Sequence, residues 1–452
     1  MFTTYLPYLI SFTLGYLLLT CLQDRDRPLP PGLHVFLASG IGLGVSAQIT
    51  FWAFMIFKRF SPGFILGGNL LALAGLSAWA VWRVRGRIGK WINLRDFHWS
   101  QIIPYLILCA GAYPLWRHGH FYVYGGWDAW ATWNLKAKIL FLSDHGWTTI
   151  FDPVLWRSSP HYPLQLPLIN CWGWIFKEDA EFITPVTTAF VFSFATVGLM
   201  YAAIARVTRS PFAILSGIIL LTSTMYVKLS LSQYADIVVA YYLLAAVVCV
   251  VLAKLENNPG YAVAAGIALG FLSFSKGEGL MAAGIIGVLA AGYFFYKNKP
   301  DKRVLINLYT AAMAAGIVTV VFTLFVAPKS TTFINGLVSD TNPVSWFRVR
   351  AIFSFILVEL VSPTWNGLWI LLVLGILLGA NRCFRRHLVI IPVFLLGYIL
   401  VISAYYFVNT YFDNTRILWW LQVSLHRLMY ATLPSVMFWV FVGLWYSKRT
   451  EL

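Results

Sequence analysis

Long apolar segments alternate with short polar stretches along most of this chain. A helix of roughly 20 apolar residues crosses the hydrocarbon core of a bilayer, so the pattern predicts an all-α polytopic membrane protein with about 12 to 14 transmembrane helices. Three of the segments are short, and we expect some of them to be tilted, half-buried or re-entrant. The predicted spans lie near residues 5–22, 34–57, 62–82, 101–115 (short), 163–176 (short), 184–204, 211–229, 236–254, 260–275 (short), 279–296, 304–327, 364–380, 388–408 and 431–446.

Composition supports a membrane protein and argues against a soluble one. Of the 452 residues, 59% are hydrophobic and only 11% are charged, whereas soluble domains carry about 25% charged residues. The net charge of +16 would suggest nucleic acid in a soluble protein, but here the cations lie in short loops between apolar segments. That placement follows the positive-inside rule, and we exclude nucleic-acid binding. The five cysteines are scattered and show no metal-type spacing.

The basic loops predict the orientation. Clusters at 83–95, 297–303 and 382–386, together with the C-terminal tail, are expected on the cytoplasmic side. The segments 116–162, 328–350 and 409–430 are then outer loops. Seven predicted spans separate the first two clusters, which would place those clusters on opposite sides. At least one span must therefore be re-entrant or merge with its neighbour, and 163–176 is the first candidate. We interpret span 5–22 as retained, with a cleaved signal peptide as the alternative.

The first outer loop contains the most informative polar residues. Asp128 follows a Gly125-Gly126 turn, and the segment 128–142 has helical character. Helical spacing places Asp128 and Lys136 along one edge. A carboxylate there can accept a proton from a hydroxyl nucleophile, and the nearby Lys136 and Lys138 can stabilise a departing phosphate. The alternative is an interfacial amphipathic helix with an aromatic belt and an ordinary capping aspartate.

Further candidates are the ionisable residues close to apolar segments. His161 precedes a proline-rich return to the membrane, Asp236 begins one apolar segment, and Glu278 follows Lys276 between two others. Such groups are costly near hydrocarbon and tend to face partners, water or ligand. A lone interfacial histidine is usually neither a base nor a metal ligand, and Lys276 and Glu278 can simply neutralise each other.

Two arginines in the last predicted outer loop are eleven residues apart, close to three helical turns, and can share a face. Arg416 and Arg427 would suit a phosphate or diphosphate head group, which arginine binds bidentately. The alternative is that both snorkel to phospholipid head groups. The sequence contains no Walker loop, GxGxxG fingerprint or HExxH motif.

The order of these features resembles the GT-C superfamily of integral-membrane glycosyltransferases, in the branch with protein O-mannosyltransferases and aminoarabinose lipid A transferases. The resemblance rests on four segments, which are Gly126-Trp127-Asp128, the proline-rich 161–167, Tyr234-Ala235-Asp236 with Lys276-Gly277-Glu278, and the late 427–434. It implies a GT-C-like fold whose outer loop carries short interfacial helices. It also implies a polyprenyl- or dolichyl-phosphate-linked sugar donor, inversion at the anomeric carbon and Asp128 as base. A bacterial inner membrane, with the site facing the periplasm or exterior, is implied as well.

The sequence also departs from this pattern. Three apolar spans precede the one that leads into the outer loop, and Ala129 follows Asp128 where the protein mannosyltransferases carry a glutamate. A second carboxylate would then be Asp144, Asp152 or Asp236. Metal use varies across the superfamily, so a divalent metal stays open and no cofactor is assigned. The expected organisation is additional N-terminal helices at 1–100, a GT-C-like catalytic module at 101–327 and C-terminal helices at 328–452.

The predicted function is therefore transfer of a sugar from a lipid-linked donor to a glycan, lipid or protein acceptor on the non-cytoplasmic face. His161, Asp236, Glu278 and the cations named above are the expected substrate- or phosphate-binding residues. An O-antigen-type polymerase or ligase is one alternative. A transporter of lipid-linked substrates is the other, and it predicts internal repeats that we do not find.

Overall fold

Helices dominate the computed structural model, which describes residues 2–84, 102–144, 146–208, 211–295, 302–329, 346–408 and 414–445; no strand occurs within these ranges. The first half contains α1 (Phe2–Leu22), α2 (Pro31–Phe57), α3 (Pro62–Val84), α4 (Ile103–Gly111), α5 (Tyr113–Phe121), α6 (Asn134–Phe141), α7 (Gln165–Gly173), α8 (Ile183–Thr208), α9 (Ala213–Thr222) and α10 (Thr224–Ser230). The second half contains α11 (Ala235–Glu256), α12 (Pro259–Ser273), α13 (Gly277–Phe295), α14 (Lys302–Val321), α15 (Trp346–Val361), α16 (Leu368–Leu378), α17 (Ala380–Cys383), α18 (Ile390–Val408) and α19 (Asn414–Trp445).

The prediction of a polytopic, all-helical membrane protein is confirmed. Among the described residues, nine helices are long and apolar enough to cross a bilayer, or up to ten if the bent pair α9–α10 is one span. These nine coincide with nine of the predicted spans. The remaining predicted spans are shorter or broken: 101–115 and 163–176 contain only nine-residue helices, 260–275 and 364–380 contain helices of 15 and 11 residues, and 211–229 bends by 71° at Ser223.

Helix α11 forms the centre of the molecule. All residues from Ala235 to Ala253 are buried, because the helix is apolar on every side and other helices surround it. It packs against α8, α12 and α19. Since α11 begins with Ala235-Asp236, the same packing places a carboxylate at a buried helix start.

Small residues allow helices α1 and α2 to approach closely. A Cβ atom added to Gly42 would lie 1.7 Å from the Ser11 carbonyl oxygen, and one added to Gly15 would lie 2.1 Å from that of Ala38. The hydroxyl groups of Ser11 and Ser46 form a 2.7 Å hydrogen bond across the same contact. This interface has the small-residue packing that is typical of helices in membranes.

Polar contacts at the helix ends show which ends lie together. At one end, Arg206 pairs with Glu256 at 2.8 Å, and Lys254 donates to the carbonyl groups of Tyr293 and Phe294. At the opposite end, Lys276 pairs with Asp236. Helices α8, α11 and α13 therefore run in one direction between the two ends, and α12 runs in the opposite direction.

The side-chain contacts of α4 and α5 complete this topology. Leu108 packs at Gly217 and Leu231 at Gly119, so α4–α5 runs parallel to α9–α10. If α7 does not cross the membrane, six crossings then separate Arg83 from Lys302, which would put these two described members of the first two basic clusters at one end. A re-entrant element at 163–176 would thus remove the conflict, and it stays a prediction. Most of the first basic cluster and part of the second lie outside the described residues.

The last two predicted outer loops need a different description. Residues 330–345, most of the predicted loop 328–350, lie outside the described residues, and α15 begins at Trp346. The predicted loop 409–430 is wrong from residue 414 onward, because α19 continues unbroken for 32 residues through Arg416 and Arg427. The apolar pattern of 431–446 reveals only the second half of this helix, since its first half carries polar and charged residues.

Candidate functional site

An arginine that bridges two aspartates lies at the end of the bundle where α11 begins. The Nη1 atom of Arg427 lies 2.6 Å from Oδ2 of Asp128, and its Nη2 atom lies 2.7 Å from Oδ2 of Asp236. The Asp236 side chain is 3% exposed and that of Asp128 is 33% exposed. The guanidinium group therefore joins a deeply buried carboxylate to a more accessible one.

A lysine extends the cluster on its other side. The Nζ atom of Lys276 lies 3.1 Å from Oδ1 of Asp236 and 3.0 Å from Oε1 of Glu278. The predicted neutralisation of Lys276 by Glu278 is thus only part of its pairing. We call Asp128, Asp236, Lys276, Glu278 and Arg427 the ion cluster. Its formal charges sum to −1.

A glycine turn brings Asp128 to the cluster. Gly125 has φ +67°, a conformation that favours glycine, and the Gly126 amide donates to the Ser232 carbonyl oxygen at 3.0 Å. A Cβ atom at Gly126 would lie 2.1 Å from the Tyr234 hydroxyl oxygen. The turn therefore packs directly against the segment that precedes Asp236. The Asp128 side chain accepts no helix-capping hydrogen bond, so the capping alternative does not describe it.

Two features stabilise charge at the buried start of α11. Asp236 lies in the first turn of the helix, where the helix dipole favours a negative group. The guanidinium of Arg427 lies over the Tyr234 ring, 4.4 Å from its centroid, and this cation–π contact adds to the ion pairs. Buried charges without such partners would be strongly unfavourable.

Lys136 does not lie along one helix edge with Asp128, as its spacing predicted. A π-helical turn over Ala129–Trp133 precedes α6 and shifts the register. Lys136 is buried, donates a 2.7 Å hydrogen bond to the Ser159 carbonyl oxygen and lies 5.9 Å from the centre of the Tyr162 ring. Burial lowers its pKa from 10.5 to about 7.

His161 is close enough to Lys136 and to Glu278 of the ion cluster to interact with both charges. Loss of hydration and the Lys136 charge lower the pKa of the imidazole, and Glu278 opposes them. Its ring contacts Tyr162 edge to face, with centroids 4.8 Å apart. Burial raises the pKa of Tyr162, and Glu278 raises it further. Tyr162 is therefore a neutral hydroxyl group beside the cluster, and sequence reasoning had not selected it.

The remaining predicted residues lie elsewhere. Lys138 and Arg416 are exposed and are not part of the ion cluster. Among the three candidates for a second carboxylate, Asp236 shares Arg427 with Asp128. Asp152 instead accepts a 2.8 Å hydrogen bond from the Val154 amide and caps a short 3-10 helix. Within the part of the chain that the structure describes, no group of three histidine, cysteine or acidic residues is arranged to hold a metal ion.

An apolar cavity lies next to the ion cluster. It has a volume of about 230 Å³ and lies between α15, α16, α18 and α19. Leu428 and Met429, which follow Arg427 directly on α19, line it together with Tyr398 and Tyr406. The Tyr398 side chain is near enough to Glu278 and Asp236 to interact with them electrostatically. Helix α19 thus carries both Arg427 of the ion cluster and part of the cavity lining.

Buried and half-buried amide side chains form a second feature that sequence reasoning missed. Gln233 donates to the Val123 carbonyl oxygen at 2.9 Å and accepts from Asn134 at 2.7 Å, and Asn170 donates to Asn134 at 3.1 Å. The available signal was a run of amides beside apolar segments, with Gln233 only three residues before Asp236. Their shared contacts were not visible, because 36 to 99 residues separate the partners.

Comparison of the chain with family models, with curated proteins and with solved structures gives no significant match.

Proposed function

We propose that this protein is a membrane glycosyltransferase that transfers a sugar from a polyprenyl-phosphate donor to a glycan, lipid or protein acceptor. The observation that carries the proposal is that α19 contributes both Arg427 of the ion cluster and Leu428 and Met429 of the apolar cavity. A lipid-linked sugar has the same two parts, a charged and polar head and a long apolar chain. Pockets that fix a ligand in this way combine apolar lining with a few placed polar groups.

The segments behind the GT-C resemblance also support the proposal. Asp128, Asp236, Lys276 and Arg427 come from four separate parts of the sequence, and they contact one another directly. Motifs that converge on one point are expected of a functional site. We therefore retain the GT-C-like fold as part of the proposal, together with inversion at the anomeric carbon.

Asp128 is the proposed base. It is the most exposed member of the pair that shares Arg427, and Arg427 contacts only its Oδ2 atom within hydrogen-bonding distance. The acceptor oxygen would attack the anomeric carbon while its proton passes to the Asp128 carboxylate. The bond from the anomeric carbon to the phosphate oxygen breaks, and the phosphate leaves with the electron pair. Positive charge that develops on the sugar is stabilised by the surrounding carboxylates.

The cations differ in their capacity to stabilise that phosphate. Arg427 and Lys276 each contact two carboxylates. Lys136 contacts a carbonyl oxygen and an aromatic ring, so a phosphate can reach it without displacing a carboxylate. The negative charge of the phosphate would favour the protonated amine and so permit a charge-assisted bond. We assign the phosphate to the region beside the ion cluster where Lys136 and His161 lie. The proposed location is a bacterial inner membrane, with the site facing the periplasm or exterior.

The test is donor turnover by the purified protein in liposomes, with Asp128→Asn compared with Asp152→Asn. A panel of polyprenyl-phosphate sugars is supplied, and mass spectrometry follows both donor and product. We expect Asp128→Asn to lower turnover at least about 100-fold, because the amide cannot accept a proton. Asp152→Asn changes an exposed cap outside the cluster and should leave turnover close to that of the wild type.

Each other outcome has a definite meaning. Full activity of Asp128→Asn would show that this carboxylate is not the base. Absence of donor consumption by the wild-type protein would refute the transferase proposal. It would then favour a polymerase or ligase that moves whole glycan chains, or a transporter.

A further inference from the structure

A chain of polar side chains connects five elements around the glycine turn. The Tyr8 hydroxyl on α1 lies 2.8 Å from that of Thr188 on α8, and Thr188 donates to the Asn170 side chain on α7 at 2.9 Å. Asn170 donates to Asn134 on α6, and Asn134 donates to Gln233 in the turn before α11. We call Gln233, Asn134, Asn170 and Thr188 the amide chain.

Gln233 is the end of this chain and has an unusual backbone. Its φ angle is +60° although it is not a glycine, and its side chain is buried at 2% exposure. A non-glycine residue in this conformation is unfavourable unless the surroundings hold it there. The side-chain amide provides such contacts, because it donates on one side and accepts on the other.

The two partners of Gln233 lie on either side of Asp128 in the sequence. Val123 precedes Asp128 by five residues and Asn134 follows it by six. Gln233 itself precedes Asp236 by three residues. One amide group thus connects both flanks of the first carboxylate to the segment that carries the second.

We infer that Gln233 is a positioning residue that holds Asp128 within bonding distance of Arg427, and that the amide chain fixes Gln233 in turn. The inference rests on the proposed function for its effect on turnover, but the positioning itself is independent of any reaction. Arg427 reaches Asp128 from a helix 299 residues away. Because Arg427 lies on a separate helix, it does not move with the 123–134 segment. A small shift of that segment would therefore lengthen the 2.6 Å contact between Asp128 and Arg427.

The test replaces the amide by a group of similar shape, Gln233→Met, with Gln165→Met as the matched control. Gln165 is also a fully buried glutamine, but its described contact is a 3.5 Å hydrogen bond to Tyr242 outside the amide chain. We expect Gln233→Met to lower kcat roughly 10- to 100-fold, since small misplacements of a reacting group have effects of this size. Gln165→Met should leave kcat unchanged.

A readout that needs no activity separates positioning from a merely structural role. The melting temperature of each variant is measured with and without Asp128→Asn. If Gln233 positions Asp128, the loss caused by Asp128→Asn becomes smaller by about 2 °C or more in the Gln233→Met background, because the ion pair is already weakened. In the Gln165→Met background the two losses add. Asn134→Ala interrupts the same chain from its other side and replaces Gln233→Met if that variant does not fold.

The outcomes distinguish this inference from the proposed function. Additive losses with both Gln233→Met and Asn134→Ala would overturn the positioning role, even if Asp128→Asn abolishes turnover. Coupled losses in a protein that consumes no donor would support the positioning role and refute only the transferase. The positioning role would also be contradicted if Gln233→Met lowered kcat by the same factor in the Asp128→Asn background as in the wild type. Gln233 would then affect turnover without acting through Asp128.

Discussion

The buried amine of Lys136 leads to a prediction whose size and sign follow from the structure. Lys136 is 1% exposed, and its pKa falls from 10.5 to about 7 because burial disfavours the charged form. Replacement by methionine keeps an unbranched side chain that is shorter by one atom and removes its titration. The neighbouring Lys138→Met on the same helix serves as control, because Lys138 is exposed.

The direction of the effect follows from proton binding. Between pH 7 and 10.5 the unfolded chain holds a proton on Lys136 that the folded protein has lost, so stability rises with pH across this window. The penalty of burying the amine is fully present below pH 7 and disappears above pH 10.5. Each pKa unit corresponds to about 1.36 kcal/mol, so the shift from 10.5 to about 7 amounts to up to about 5 kcal/mol.

The assay is thermal unfolding of the detergent-solubilised protein at intervals from pH 6 to 10.5. Relative to the wild type, Lys136→Met should be most favourable at pH 6 to 7, by several degrees, and this advantage should vanish by pH 10.5. Loss of the hydrogen bond to Ser159 adds an offset of about 1 kcal/mol that does not depend on pH. Lys138→Met should follow the wild type at every pH.

A difference between wild type and Lys136→Met that stays constant with pH would refute this reasoning. It would mean that the amine does not change its protonation on folding. An advantage of the wild type at low pH that fades as pH rises would also refute it. That result would mean that the native protein pairs the ammonium with a negative group.

Two further predictions concern the turn and the cavity. Gly126→Ala should lower both the melting temperature and turnover, because the new Cβ would lie 2.1 Å from the Tyr234 hydroxyl oxygen, whereas Gly284→Ala, with no atom within 4 Å, should not destabilise the protein. Unchanged stability of Gly126→Ala would show that Tyr234 can move away freely. Ile402→Trp, which fills part of the cavity, should raise the KM for long-chain donors more than for short-chain donors, while Leu374→Trp on an exposed surface should not. An equal rise for both donor lengths would remove the cavity from the proposed site.

The sequence predicted the long helices well because each carries its own signal. A continuous apolar segment of 19 residues or more needs no knowledge of its neighbours. The short helices gave no such signal: α7 is only nine residues long and includes Gln165 and Asn170, and no proline or glycine stands at Ser223, where α9 and α10 meet at an angle. Their geometry depends on the surrounding helices.

The candidate site was predicted in part for a similar reason. Asp236 and Glu278 could be selected because charges near hydrocarbon are costly. Asp128 and Arg427 could be selected from their spacing to other charged residues in predicted outer loops. The pairing of Arg427 with both aspartates could not be predicted, since 191 and 299 residues separate the partners. Lys136 was misplaced because spacing arguments assume an α-helix, and a π-helical turn intervenes.

The short helix α7 has a consequence for how the protein is made. Nine residues of helix are about 14 Å long, less than half of the hydrocarbon thickness, and every residue from Gln165 to Gly173 is buried among other helices. Such a segment cannot partition into lipid by itself, because its ends would leave backbone groups unpaired there. One of its neighbours, α8, begins at Ile183 and is synthesised later. The α7 segment is therefore held by protein contacts, mainly with α2 and α6, which are synthesised before it, and its burial is completed when α8 is added.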